Sequence, residues 1–152
     1  MQHEDVVETW FRRVWNEEDA SAIDEMFEGA GRAVGLGGSG MQQGVDFRDH
    51  ELIGPEGFKF FHQSLLGLVG SVTISVTDSM TRGDWIAALC MLNGKCRKTG
   101  ADAQMSGQVY MRLANDQIVE AYNHWDFISL FAELGLLPKD TLMQCLSGKR
   151  VA

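Results

Sequence analysis

The chain has 152 residues, a length that fits one domain able to bury a hydrophobic core without disulfides or metals. With 13 Lys and Arg against 21 Asp and Glu its formal charge is -8, which repels phosphate backbones and anionic lipid and argues against nucleic acid and membrane partners. Apolar residues make up 45% and charged residues 22%, the balance of a soluble globular protein, and Met1-Gln2-His3-Glu4-Asp5 lacks the basic and apolar regions of a signal peptide, so a cytoplasmic location is expected.

From Glu4 to Trp15 the residues Val6, Val7, Trp10, Phe11, Val14 and Trp15 recur at intervals of three and four, the stripe of a helix with one buried face. The acidic turn Asn16-Glu17-Glu18 separates it from a second short helix over 19–27 that stops near Gly29. Residues 31–54 are rich in glycine and lack a sustained period, which predicts a short strand at 32–36 and then an irregular loop. Pro55 suits a first helical position, and Phe58, Phe61, Leu65, Leu66 and Val69 mark one side of a helix ending at Gly70.

Beyond Ser71 the pattern changes to strands. Val72, Ile74 and Val76 alternate with Thr73, Ser75 and Thr77, and the turn Thr81-Arg82-Gly83-Asp84 leads into an apolar run over 85–92. In 105–113 the positions Met105, Gly107, Val109, Met111 and Leu113 form one face, with Ser106, Gln108, Tyr110 and Arg112 on the other. After the turn 114–117 the strand 118–125 pairs back as a hairpin, and its alternation predicts Val119, Ala121, Asn123 and Trp125 inward. Asp126 then stands at the N-cap, and Gly135 just past the C-terminus, of a short closing helix, with another over 139–146. Helices followed by a strand meander predict an α+β fold, a curved antiparallel sheet wrapped around the N-terminal helices, in a single domain over 1–152.

Few residues in the sequence carry chemistry. The three cysteines, Cys90, Cys96 and Cys145, fit no zinc or redox spacing and read as reduced packing residues. His3, His50, His62 and His124 form no metal-binding pair, and no metal is expected. Gly35-Leu36-Gly37-Gly38-Ser39-Gly40 satisfies G-x-G-x-x-G, but no helix follows it and no βαβ unit surrounds it, so it reads as a loop rather than a dinucleotide site. Asp46, Asp49 and His50 read as solvated loop residues. Asn123 is the one polar member of an inward stripe and needs a hydrogen-bond partner there. It is either a structural amide or a donor that orients a substrate carbonyl or enolate oxygen. Asp126 is the candidate acid/base, in competition with its role as a cap.

Several motifs together resemble one family. Ser106-Gly107 with Arg112, Ile118-Val119-Glu120 with Tyr122, Trp125-Asp126 with Leu134-Gly135, Trp15-Asn16 with Asp19, and Gly54-Pro55-Glu56-Gly57-Phe58 resemble the SnoaL-like branch of the nuclear transport factor 2-like superfamily. The resemblance implies a cone-shaped fold, a cavity for a small hydrophobic or polyketide-like molecule, and a homodimer formed on the outward strand face near Tyr122 and His124. It also implies metal-free, cofactor-independent acid/base chemistry of cyclase or isomerase type. In the cyclases the acid/base carboxylate and an inward histidine fall at positions occupied here by Asn123 and Val109. Trp10, Met91, Val109, Met111, Asn123 and Trp125 are the expected ligand-binding residues. Two readings stay open: a cofactor-free enzyme using Asn123 and Asp126, or a ligand-binding module that kept the cone and lost the chemistry.

Overall fold

The computed structural model describes residues 1–37 and 51–151. Met41, Asp46, Asp49 and His50, with the end of the glycine-rich pattern, lie outside the described residues.

Helix α1 (His3–Phe11) carries Glu4 and Asp5 in its first turn, where carboxylates complement the helix dipole. Its apolar stripe buries Val6, Val7, Trp10 and Phe11. A π-helical turn over Arg12–Asn16 follows, closed by Glu17 N–H donating to Arg12 O at 2.8 Å. This wider turn keeps Val14 and Trp15 on the buried side. It is fastened at both ends. Ile74 N–H donates to Asn16 Oδ1 at 2.9 Å, and the Arg13 guanidinium bridges Asp19 and Glu25 at 3.0 and 2.5 Å.

Helix α2 (Ser21–Met26) runs directly into β1 (Phe27–Val34), so the first strand is longer and earlier than the 32–36 expected. Its Gly29 and Gly31 break the alternation on which a strand is recognised, and pairing with β6 slips between Phe27 and Arg32. β2 (Glu51–Ile53) pairs antiparallel with β1 and leads into α3 (Gly54–Leu66), with Pro55 at its start. Helix α3 ends earlier than Gly70. Val69 and Gly70 already belong to β3 (Val69–Arg82), where Val69 pairs with Cys96.

β4 (Trp85–Cys96), β5 (Asp102–Ala114) and β6 (Gln117–Trp125) complete a curved, unclosed sheet of order β2-β1-β6-β5-β4-β3. Every neighbour is antiparallel except β1 and β6, so the sheet is mixed rather than purely antiparallel. The β5–β6 turn uses Asn115 and Asp116 at φ 53° and 60°, the left-handed pair of a tight hairpin. A bulge just beyond it moves the register from Arg112 opposite Glu120 to Leu113 opposite Ile118. The bulge makes Val119 the extra residue, so Ile118, fully buried, takes the inward place expected of Val119.

Helix α4 (Phe127–Glu133) closes the fold. Asp126 caps it by accepting from Ser129 N–H at 3.1 Å and Ser129 Oγ–H at 2.6 Å. Gly135 ends it at φ 77°, with Gly135 and Leu136 N–H donating back to Ala132 and Phe131 O. α5 (Thr141–Leu146) follows, and it leaves Leu142, Met143 and Leu146 exposed. The core lies between the inner sheet face and α1, the π-turn and α3, where Trp10, Phe27 and Phe58 meet at ring-centroid distances of 5.0 to 6.0 Å. No helix among the described residues is long and apolar enough to cross a membrane.

Candidate functional site

An apolar pocket opens into the core between the helices and the inner sheet face. Trp10, Phe11 and Trp15 wall it from the α1 side, Phe58, Phe61 and Leu65 from α3, and Met105, Met111, Asn123 and Trp125 from the hairpin β5–β6. Its volume is about 30 Å³. An apolar cavity that takes a benzene ring measures about 150 Å³, so the interior alone holds no organic ligand without side-chain movement. The room lies next door. A groove of about 270 Å³ runs between α3 and α4, lined by Phe60, Leu68, Phe131, Gly35 and Gly37, and it shares Leu36, Phe61, Leu65 and Phe127 with the pocket. Pocket and groove are therefore neighbours, with these four side chains between them.

Four of the six residues expected to bind a ligand, Trp10, Met111, Asn123 and Trp125, meet at this pocket. Val109 is buried and pairs with Asn123 across β5–β6, but is not part of the lining. Met91 is a correction. Along β4 the buried positions are Ile86, Ala88, Cys90 and Leu92, which turns Met91 to the outer face and puts Leu92 in the pocket wall. The run is apolar on both faces, so its composition could not reveal its parity. The groove was not foreseen from sequence, although Phe60, Phe61, Ser64 and Leu68 recur at helical spacing on α3 and just beyond it.

Asn123 is 7% exposed, and its Nδ2 donates to Val34 O at 3.1 Å, tying β6 to the end of β1. Gly35 follows at φ +95°, so close that a Cβ there would stand 2.0 Å from Asn123 O. No side chain fits at that crossing. On the pocket's other flank the Trp125 ring lies over Gly107, whose absent Cβ would fall 2.2 Å from the indole. Asp126 is exposed and committed to Ser129, and does not line the pocket.

The buried groups with acid/base character lie elsewhere. His62 is 3% exposed, packs on Trp15, and its Nε2–H donates to Val14 O at 2.7 Å; burial holds the imidazole below its usual range. Burial also pushes the Cys90 thiol up to about 12, which leaves it un-ionised and unreactive. Cys90 and Cys96 are buried free thiols, whereas Cys145 is exposed rather than a packing residue. Among the described residues no group of three or more His, Cys, Asp or Glu converges to hold a metal. Nor does the described pocket lining include a carboxyl, imidazole or amine.

The outer sheet face carries a polar network that sequence reasoning missed. Tyr122 OH donates to Glu120 Oε1 at 2.5 Å, Arg112 Nε donates to Glu120 Oε2 at 3.1 Å, and Arg32 reaches Tyr122 OH at 2.9 Å and Glu120 at 3.3 Å. The Tyr122 hydroxyl first, then the two guanidiniums, holds the Glu120 carboxyl below the usual carboxylate range. Beside the network Trp85 stacks on Tyr110 at 4.4 Å. His124 is exposed on this face.

Residues 7–121 match the SnoaL-like domain. The chain belongs to the SnoaL-like family. Among solved structures it is similar to IdmH of Streptomyces antibioticus, a candidate polyketide cyclase, at 19% identity and TM-score 0.70, covering 89% of this chain and 99% of that one. It is also similar to a protein of ketosteroid isomerase-like fold from Catenulispora acidiphila, in complex with trimethylamine, at 16% identity and TM-score 0.71, covering 90% and 95%. A candidate SnoaL-like polyketide cyclase from Jannaschia sp. CCS1 gives 16% identity and TM-score 0.70, covering 89% and 92%. A search of curated protein sequences finds no significant match. At these identities the structural likeness establishes the fold, a ketosteroid isomerase-like α+β cone, for this SnoaL-like chain.

Proposed function

We propose that this SnoaL-like protein binds a small hydrophobic, polyketide-like molecule in the groove and pocket, without proton transfer by the described lining. One observation carries this reading. Apart from glycines, the described walls of pocket and groove consist of aromatic, aliphatic and methionine side chains plus the amide of Asn123 and the hydroxyl of Ser64, neither of which takes a proton at neutral pH. Proton transfer from the site requires a titratable group facing the ligand, and Asp126 is spent on a helix cap.

The test uses 2-tetralone, a flat bicyclic ketone with acidic α-hydrogens. Saturable quenching of tryptophan fluorescence is expected, since Trp10, Trp15 and Trp125 all line the pocket. In D₂O its α-hydrogens should exchange no faster with protein than in buffer. Faster exchange would instead support the second reading, cofactor-independent acid/base chemistry, which draws on the family and on its relatives named as candidate cyclases. Absence of binding would overturn both.

For the partner, the outer face offers stacked Trp85 and Tyr110 with Tyr122 and the Arg32–Glu120–Arg112 network, a mix of aromatic and polar groups suited to a second copy of the chain. Sedimentation velocity should find a dimer that Tyr110→Glu dissociates; a wild-type monomer at high micromolar concentration would overturn it.

A further inference from the structure

Asn123 has two faces, and the fold has already assigned one of them. The Val34 carbonyl can only accept, so the amide edge 3.1 Å away must be Nδ2, and the flip of the side chain is fixed. The opposite edge is then Oδ1, for which no partner exists among the described residues. It is not sealed either: among the described residues no fully buried side-chain nitrogen or oxygen lacks a hydrogen bond, so Oδ1 borders open space. The side chain is 7% exposed and lines the pocket. Gly35, a wall of the groove, packs directly on the Asn123 backbone, so the groove wall adjoins the residue whose side chain lines the pocket.

We infer that Asn123 reads its ligand as an acceptor: the pocket selects a hydrophobic molecule that presents a hydroxyl, phenol or enol O–H at the tip entering from the groove. This rests on the binding reading above and inverts the expectation from sequence, in which the amide donates to a carbonyl or enolate oxygen. One of the two amide N–H groups is held by Val34 O, and the amide oxygen is an acceptor that no described residue meets. Once the ligand's skeleton has displaced water from the apolar walls, an unmet acceptor there costs affinity, and a donor on the ligand removes that cost.

Three probes of one skeleton separate the possibilities: 2-naphthol, which donates, 2-methoxynaphthalene, which cannot, and 2-naphthaldehyde, which offers a carbonyl. Calorimetric titration of the wild-type protein should rank 2-naphthol first, by about fivefold over the ether. In Asn123→Leu that ratio should fall to about one. If the variant does not fold, the Asn123 side-chain NH₂ resonances of the wild type still report the contact, and only the naphthol should shift them strongly. Equal binding of naphthol and ether in the wild type, or tightest binding of the aldehyde, would overturn the inference while leaving the pocket reading intact. If none of the three binds, both fall together.

Discussion

The side chain of Asn123 hangs from the backbone of Val34, 89 positions earlier in the chain, through an amide N–H that no carboxylate can replace. Asn123→Asp would turn two oxygens toward one another unless the new carboxyl keeps its proton and donates it to Val34 O. Burial and the facing carbonyl both favour the neutral acid, so its pKa should rise well above the ordinary aspartate range. The sign follows. A carboxyl that binds its proton more tightly folded than unfolded destabilises the fold as pH rises through the unfolded value. The variant should match the wild type near pH 4 and lose about 2 kcal/mol by pH 7. Urea titrations at the two pH values measure this; a constant difference would show that the carboxylate ionises freely.

Gly107 and Trp125 interlock by the absence of a side chain. The indole occupies the space a Cβ would need, at 2.2 Å, and it cannot easily retreat because Phe11 meets it edge-on at 6.5 Å. Gly107→Ala should therefore cost about 2 kcal/mol through overpacking, a fall in Tm of roughly 5 °C. Because Trp125 lines the pocket, the variant should also weaken 2-naphthol binding. Unchanged melting and binding would mean that the indole swings away freely.

Asp126 was legible as a cap, and the prediction from it is correspondingly direct. Asp126→Ala removes the acceptor of two hydrogen bonds from Ser129 and should cost about 1 kcal/mol of stability. Ligand affinity should stay within twofold, roughly the error of such a comparison. A large loss of binding with unchanged melting would place Asp126 at the site instead.

What could be read from the sequence depended on how local each signal was. Pro55, Asp126 and Gly135 each mark a helix end by their own backbone chemistry, and the alternation over 105–113 names its inner face unaided. Position 119 defeats the same rule because one bulged residue reverses parity, and Met91 defeats it because β4 is apolar on both faces. β1 was nearly invisible: its partners are β6, some ninety positions later and parallel to it, and β2 beyond the glycine-rich stretch. The site shows the same division. The inward stripe identified Asn123, but only the fold shows which edge of the amide is occupied, because its partner is a distant backbone carbonyl that carries no sequence signal.

His62 supplies a pH dependence that lies outside the carboxylate range. Its ring is buried against Trp15 and donates through Nε2 to Val14 O, inside the π-helical turn, so it stitches α3 to the end of α1. Burial lowers its pKa from the ordinary value of 6.5, the bond to Val14 and the charge of Glu18 opposing the shift without cancelling it. The unfolded chain therefore binds this proton more readily than the folded one, and stability must fall as pH drops below about 6.5. Asp19, Glu25 and Glu120, whose carboxyls are held below their ordinary values, begin to lose their contributions only further down. Among the described residues the slope of stability between pH 6.5 and 5 belongs mainly to His62. Its substitution by Gln, whose amide can still donate to Val14 O, should flatten that slope in a series of thermal melts while lowering stability at pH 7.5 by about 1 kcal/mol. A slope that survives in His62→Gln would assign the proton uptake to another group.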